Sequence, residues 1–231
     1  MAMKVKVKIC GLSRLEDARI ALALGADELG FVLAPSPRRV EPEAVKAILE
    51  ALKGESGVRP FRSTGVFVNE APSAMRDIMS FAGLDAAQVH GDETPAACAG
   101  FDFPWYRALR IGSVADANRL VGAPWPCPRL LVDAAVRGSY GGTGDSIGTW
   151  AALAAGALAR DAGKEYFVAG GVRPRNVASF IHSLSPDGLD VSGGVEEAPG
   201  RKSADKLEAL FREIGRAEAT RDEKEVPHEA R

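Results

Sequence analysis

Residues 165–195 read EYFVAGGVRPRNVASFIHSLSPDGLDVSGGV. Two short apolar runs, Tyr166–Ala169 and Leu189–Val191, each break into a Gly-Gly pair, and the segment between them has helical spacing. Continuous apolar runs of this length suit strands covered on both faces. Strand–helix–strand order implies parallel pairing with a right-handed crossover.

Working outward, six more runs precede this unit: Val5–Cys10, Leu29–Leu33, Thr64–Val68, Ala87–His90, Tyr106–Ile111 and Leu130–Val132. Val5–Cys10 alternates with lysines, which suits a first strand with one polar side. Eight strand candidates, each followed by a helix candidate, predict a single compact α/β (β/α)8 TIM barrel of parallel strands over residues 1–216. The rival is an open doubly wound sheet, which usually has fewer strands, and no G-x-G-x-x-G follows the first strand here. Residues 217–231 carry dense mixed charge, Pro227 and no apolar stripe, and are expected to form a frayed helix end and a short disordered tail.

Local signals agree with helices between the strands. Ser13-Arg-Leu-Glu16 reads as a capping box, and Pro42, Pro72 and Pro95 sit where first helical residues belong. Val45, Ile48, Leu49 and Leu52 form one apolar stripe and Leu207, Leu210, Phe211 and Ile214 another. Met75, Ile78 and Met79 repeat the spacing and read as core.

Composition narrows the function classes. The 231 residues are 46 % hydrophobic and 26 % charged, ordinary globular values. Lys+Arg 29 against Asp+Glu 31 gives a net charge of −2, which argues against a domain-wide nucleic-acid footprint. The longest apolar run, Ala151–Ala159, falls far short of the roughly 18–20 residues of a membrane span. Cys10, Cys98 and Cys127 form no C-x-x-C pair, so neither a disulfide framework nor a cysteine zinc site is expected, and the three histidines give no metal-ligand pattern. The expectation is a reduced, cytoplasmic monomer.

In a barrel of this kind the chemistry lies at the C-terminal strand ends. Read in order, these ends offer Cys10-Gly11, a loop with Arg38 and Arg39, Asn69, His90-Gly91, Arg110, Asp133, Gly170-Gly171 and Ser192-Gly193-Gly194. The two glycine turns after strands seven and eight suit a shared phosphate site, where backbone N–H groups approach one oxyanion. Asp133 emerges from an apolar strand and reads either as a turn acid or as a general acid whose pKa burial raises. Cys10 reads either as a small buried hydrophobe or as a base in need of local help. Arg38 or Arg39 could clasp a carboxylate, and His90, Asn69 and Arg110 could line the cavity.

The segments Lys8-Ile-Cys-Gly11, Gly25-Ala-Asp-Glu-Leu-Gly-Phe31, Ser36-Pro-Arg-Arg-Val40, Gly65-Val-Phe-Val-Asn69, Gln88-Val-His-Gly-Asp-Glu93, Leu131-Val-Asp133, Gly141-Gly-Thr-Gly144, Ala169-Gly-Gly171 and Asp190-Val-Ser-Gly-Gly-Val-Glu196 occur in order. Together they resemble the phosphoribosylanthranilate isomerase family. The resemblance implies a cofactor-free Amadori rearrangement of N-(5-phosphoribosyl)anthranilate in tryptophan biosynthesis. It implies Cys10 as general base and Asp133 as general acid, with Arg38, His90 and Asp190 at the substrate. Gly170, Gly171, Ser192, Gly193 and Gly194 would hold the phosphate, and the only partner implied is the small phosphosugar–anthranilate substrate, with no nucleic acid or membrane. The chain departs from the family pattern at Arg39, often Tyr, at Asp145-Ser-Ile-Gly-Thr-Trp150, which lacks the usual lysine, and at Gly193. Gly138–Gly144 reads as a mobile cover over the mouth. A histidine-pathway aminoaldose isomerase is disfavoured by Cys10, where that family typically has Asp. A phosphosugar-binding barrel without turnover, or with altered specificity, is the remaining alternative.

Overall fold

The structure is a computed structural model that describes residues 4–133 and 147–225. Eight parallel strands close in sequence order: β1 (Lys6–Cys10), β2 (Glu28–Val32), β3 (Arg62–Phe67), β4 (Ala86–Val89), β5 (Trp105–Arg110), β6 (Arg129–Asp133), β7 (Glu165–Ala169) and β8 (Gly188–Val191). β1 completes the ring by pairing with both β2 and β8, at Lys8↔Glu28 and Lys8↔Asp190. The crossovers carry α1 (Leu15–Leu24), α2 (Pro42–Gly54), α3 (Pro72–Ala82), α4 (Pro95–Cys98), α5 (Val114–Asp116), α6 (Ile147–Asp161) and α7 (Val177–Leu184), and α8 (Ala204–Glu225) closes the chain. Between β8 and α8 lie a 3-10 turn at Gly193–Val195 and a small hairpin of β9 (Glu196–Ala198) and β10 (Arg201–Lys202).

All eight expected strands are present, and their outward side chains explain the apolar runs. Ile9, Leu29, Phe31, Val168 and Leu189 are buried beneath a ring of helices that contributes Val45, Leu49, Leu52, Met75, Leu207 and Leu210. The methionine stripe is therefore core. Pro42, Pro72 and Pro95 each open their helix, where the missing N–H costs nothing. α4 and α5 are single turns capped by Thr94 and Ser113, whose hydroxyls accept from Ala97 N–H at 3.2 Å and Asp116 N–H at 3.0 Å. A π-helical turn, Ala117–Val121, extends α5.

Three details differ from the sequence reading. The Ser13 capping box does not form: Arg14 is the N-cap of α1 and makes no side-chain cap bond. The Ser13 hydroxyl instead donates to the Gly200 carbonyl at 2.7 Å, tying the first βα loop to the hairpin after β8. The polar side of β1 is split: Lys6 is exposed at the foot of the barrel, whereas Lys8 is fully buried within the ring. Finally, α8 runs past residue 216 to Glu225, because Ala217 packs into the core and Glu218 Oε1 accepts the Val5 N–H at 2.8 Å. Residues 226–231, the Gly141–Gly144 motif and the expected cover lie outside the described residues.

Candidate active site

Period-two alternation sends every second strand residue inward, so one layer of the ring's interior is set by its neighbours below. On β1 the inward pair is Lys8 and Cys10, on β4 Gln88 and His90, on β6 Leu131 and Asp133, and on β8 Asp190 and Ser192. The uppermost of these open into a cavity of about 780 Å3 at the C-terminal end of the barrel. Cys10, Arg38, His90, Asp133, Gly170, Gly171, Asp190, Ser192, Gly193 and Gly194 all line it. These ten expected residues thus reach one space, while Arg39 turns away to pair with Glu41. Arg110 lines it too, whereas Asn69 does not: it takes φ 53° and holds Asp92 with its side chain, accepting the Asp92 N–H at 2.7 Å.

Beneath the cavity the barrel interior is ionic rather than greasy. Lys8 Nζ donates to Gln88 Oε1 and, at 3.2 Å, to Asp190 Oδ2. Glu28 accepts from Arg129 Nη1 at 2.6 Å, Thr64 Oγ1 at 2.5 Å and Tyr106 Oη at 2.9 Å. The Arg129 guanidinium is sandwiched near the Phe167 and Tyr106 rings, 3.9 and 4.9 Å from their centroids. Burial alone would neutralise these groups, but their mutual attraction offsets it. Lys8 is held well above the ordinary lysine value against its own desolvation by Asp190, Cys10, Tyr106 and Glu28. Glu28 is held below the carboxylate norm by Lys8 and Arg129 despite burial.

Cys10 sits on this floor. A Cβ placed on Gly30 would fall 2.8 Å from both Cys10 Sγ and Lys8 Cε, so the missing side chain at Gly30 leaves room for sulfur and ammonium stem together. Burial and the Asp190 carboxylate push the thiol up to about 11, while Lys8 and Lys202 pull it down. Asp190 is itself raised, chiefly by burial, and its Oδ1 is buried with no hydrogen-bond partner among the described residues. The thiol is therefore protonated at neutral pH in the unliganded protein. A positive charge arriving beside the sulfur would favour the thiolate.

The rim is cross-braced through Glu196. Arg38 Nε and Nη2 both donate to its carboxylate, at 2.9 and 2.7 Å. Lys202 Nζ donates to Glu196 Oε1 at 2.8 Å and to the Cys10 carbonyl at 2.6 Å. One carboxylate thus joins the β2–α2 loop to the β9–β10 hairpin and, through Lys202, to the backbone of Cys10. Arg38 and Lys202 hold Glu196 below its usual range against burial.

On the opposite side the turns after β7 and β8 meet backbone to backbone. Gly170 and Gly171 take φ 96° and 77°, which disfavour a side chain. Asn176 braces this turn, accepting the Arg173 N–H at 2.7 Å and donating to the Gly171 carbonyl at 3.0 Å. A Cβ on Gly194 would lie 1.8 Å from the Val172 carbonyl oxygen, so only glycine permits the approach.

Sequence reading missed Lys8, Gln88, Glu196 and Lys202 as parts of this site. The signal for Lys8 was available: if Cys10 faces inward, period two places Lys8 inward as well. Glu196 and Lys202 lie beyond β8 in a hairpin that no strand-end list covers.

A second cavity of about 520 Å3 adjoins the first and shares Val68, His90 and Arg110 with it. Among the described residues no helix is long and apolar enough to cross a membrane.

Comparison with known proteins agrees with this geometry. Residues 7–213 match the sequence profile of the N-(5'phosphoribosyl)anthranilate (PRA) isomerase family. The chain is 38 % identical over 218 residues to the N-(5'-phosphoribosyl)anthranilate isomerase of Magnetococcus marinus, spanning 94 % of this chain and 98 % of that one. Among solved structures it superposes with TM-score 0.74 and 30 % identity on a phosphoribosyl anthranilate isomerase in complex with reduced 1-(o-carboxyphenylamino)-1-deoxyribulose 5-phosphate. That match covers 91 % of this chain and 98 % of the other. Monomers generated from the dimeric isomerase of Thermotoga maritima give the same TM-score, identity and coverage.

Proposed function

The chain belongs to the N-(5'-phosphoribosyl)anthranilate isomerase family and is an isomerase of tryptophan biosynthesis, and from that premise we propose that Cys10 and Asp133 are its base and acid. The observation that carries the assignment is that a thiol from β1 and a carboxyl from β6 line one cavity with the glycine turns of β7 and β8.

In this reading the backbone N–H groups around Gly170–Gly171 and Ser192–Gly194 hold the substrate phosphate. Arg38 takes the anthranilate carboxylate. Its Nε–H and one N–H of Nη2 are engaged by Glu196, which leaves the N–H groups of Nη1 and the second one of Nη2 for that contact. Fixing both ends of the substrate presents the ribose between acid and base.

Asp133 donates a proton to the ring oxygen, the C1–O bond breaks, and the nitrogen lone pair forms an iminium. As the iminium forms, Cys10 gives its own proton to solvent; the resulting thiolate then removes the proton from C2, and the C2–H electrons form an enamine as the iminium is neutralised. Tautomerisation of this enol-amine gives the ketose. No electron leaves the substrate at any stage, so the chain of steps is balanced by protons alone. The iminium supplies the positive charge that favours the Cys10 thiolate, next to the Lys8 ammonium that attracts it already.

Asp190 supports the ribose through its unpartnered Oδ1, and His90 contributes from β4. All assigned groups come from one chain, which supports a monomer as the working unit. Three free, buried cysteines suit a reducing, cytoplasmic setting.

The test is turnover of freshly prepared phosphoribosylanthranilate, followed by loss of its anthranilate-type fluorescence. Cys10→Ser and Asp133→Asn should each lower kcat by at least ~10²-fold. Wild-type turnover in either variant removes that residue from the mechanism. Absence of turnover in the unmodified protein, with tight binding of a reduced product analogue, would instead identify a phosphosugar-binding barrel.

A further inference from the structure

His90 follows directly after β4 and lines both cavities. Its Nε2 is buried and has no hydrogen-bond partner among the described residues. Its Nδ1 lies 3.3 Å from Gln88 Nε2. The amide of Gln88 has a fixed orientation, because its other terminal atom receives the Lys8 Nζ donor; the Tyr106 hydroxyl, whose one proton is shared with Glu28, lies 3.0 Å from the same atom. An ammonium has no acceptor capacity, so the atom it donates to must be the amide oxygen. The amide nitrogen then faces His90, and its N–H requires a lone pair on Nδ1.

The charge state follows from the surroundings. Burial is the largest influence on the imidazole, followed by Arg110 and Arg107 from β5 and Lys8 from β1, with Glu93 the opposing carboxylate; together they push it down to about 4. A neutral ring that accepts at Nδ1 carries its single proton on Nε2.

We propose that Gln88 is a positioning residue that locks His90 as an uncharged Nε2–H donor to an oxygen of the bound substrate. The proposal rests on the reading of the cavity as the isomerase site. Phosphate and carboxylate are acceptors only and would be repelled by a bare Nε2 lone pair, and a ribose hydroxyl can accept as well as donate, so every polar group of such a substrate can meet the locked N–H productively. A neutral donor also adds direction without a charge that would compete with the phosphate turn or Arg38 for the anionic ends. His90 in this state is a binding group and takes no part in the proton transfers. The lock extends the ionic floor to the cavity wall: Lys8 orients Gln88, and Gln88 orients His90.

The experiment uses the full chain. Side-chain 15N NMR at pH 7, with His90 assigned by its loss in His90→Gln, should show Nε2 protonated and Nδ1 unprotonated. In Gln88→Glu the new carboxylate accepts from Nδ1 and draws the proton there. Its KM for phosphoribosylanthranilate should rise about 10-fold at pH 8, with the loss in KM rather than kcat. That loss should shrink as the pH falls, because the imidazolium regains an Nε2 proton. His90→Gln offers an amide N–H where Nε2 stood and should recover most of the roughly 10-fold KM loss expected in His90→Leu.

A wild-type ring protonated on Nδ1 or doubly protonated at pH 7 overturns the lock, as does a Gln88→Glu protein with unchanged tautomer and KM. Should Gln88→Glu fail to fold, the wild-type spectrum and the His90→Gln and His90→Leu pair decide the matter. A ring locked with Nε2–H in a protein that does not turn over phosphoribosylanthranilate would sink the functional reading while the lock itself stood.

Discussion

At the scale of single residues, the unusual group is the Cys10 thiol. An unperturbed cysteine reaches half ionisation near 8.5, but burial and Asp190 place this one at about 11. Its alkylation rate by a small neutral reagent should therefore keep rising about tenfold per pH unit from 7 through 10 rather than level off near 9. Mass spectrometry assigns the adduct to Cys10, and a plateau below pH 9 would show that Lys8 outweighs Asp190. That Cys10 and Asp133 line the cavity was legible in the sequence, because each ends an apolar strand and faces the mouth of the barrel. Lys8 and Gln88 were not. A polar residue within an alternating strand reads as a solvent contact, and only ring closure shows that its partners lie 80 and 182 positions away in the chain.

Elements show how local signals yield to tertiary partners. The Ser13 capping box was a sound local motif, yet the Gly200 carbonyl captured the hydroxyl that should have capped α1. Prolines at helix starts kept their meaning because the missing N–H is local and no distant group competes for it. The glycine turns also kept theirs, since backbone conformation and close approach are set by the residues themselves. Gly194→Ala tests this directly. A methyl group 1.8 Å from the Val172 carbonyl oxygen must part the β7 and β8 turns. KM should rise at least ~10-fold, as orientation at the phosphate end degrades, with kcat less affected. Unchanged kinetics would mean that the phosphate does not depend on the junction of these turns.

For the whole molecule, the eight-strand ring was legible from spacing alone, because each apolar run lies between the ring's interior and the helices. What fills that interior was not legible, since partners in the ionic floor come from β1, β2, β3, β4, β5, β6 and β8. Removing one charge strands another: Arg129→Leu takes a buried cation from Glu28 and should cost about 3–5 kcal/mol in urea unfolding. A loss below ~1 kcal/mol would show that water reaches the floor. Acid should destabilise the protein in two stages. His90 is neutral when folded and has its pKa depressed to about 4, so the unfolded chain gains a proton first and stability falls between about 6.5 and 4. Glu28 and Glu196, also depressed, add further loss as the pH falls through and below 4.5. Asp190, raised, works in the opposite sense over the same span. Urea midpoints measured from pH 7 to 4 should decline, and the upper part of that decline should flatten in His90→Gln.

The brace of Arg38, Glu196 and Lys202 spans three separately encoded pieces of chain and ends on the peptide carbonyl of Cys10. Selection for new aminosugar substrates acting on the rim loops would therefore disturb the footing of Cys10 whenever it touched this arch. Variants of altered appetite should accumulate around Val68 and Arg110, where the wall opens into the neighbouring chamber away from this arch.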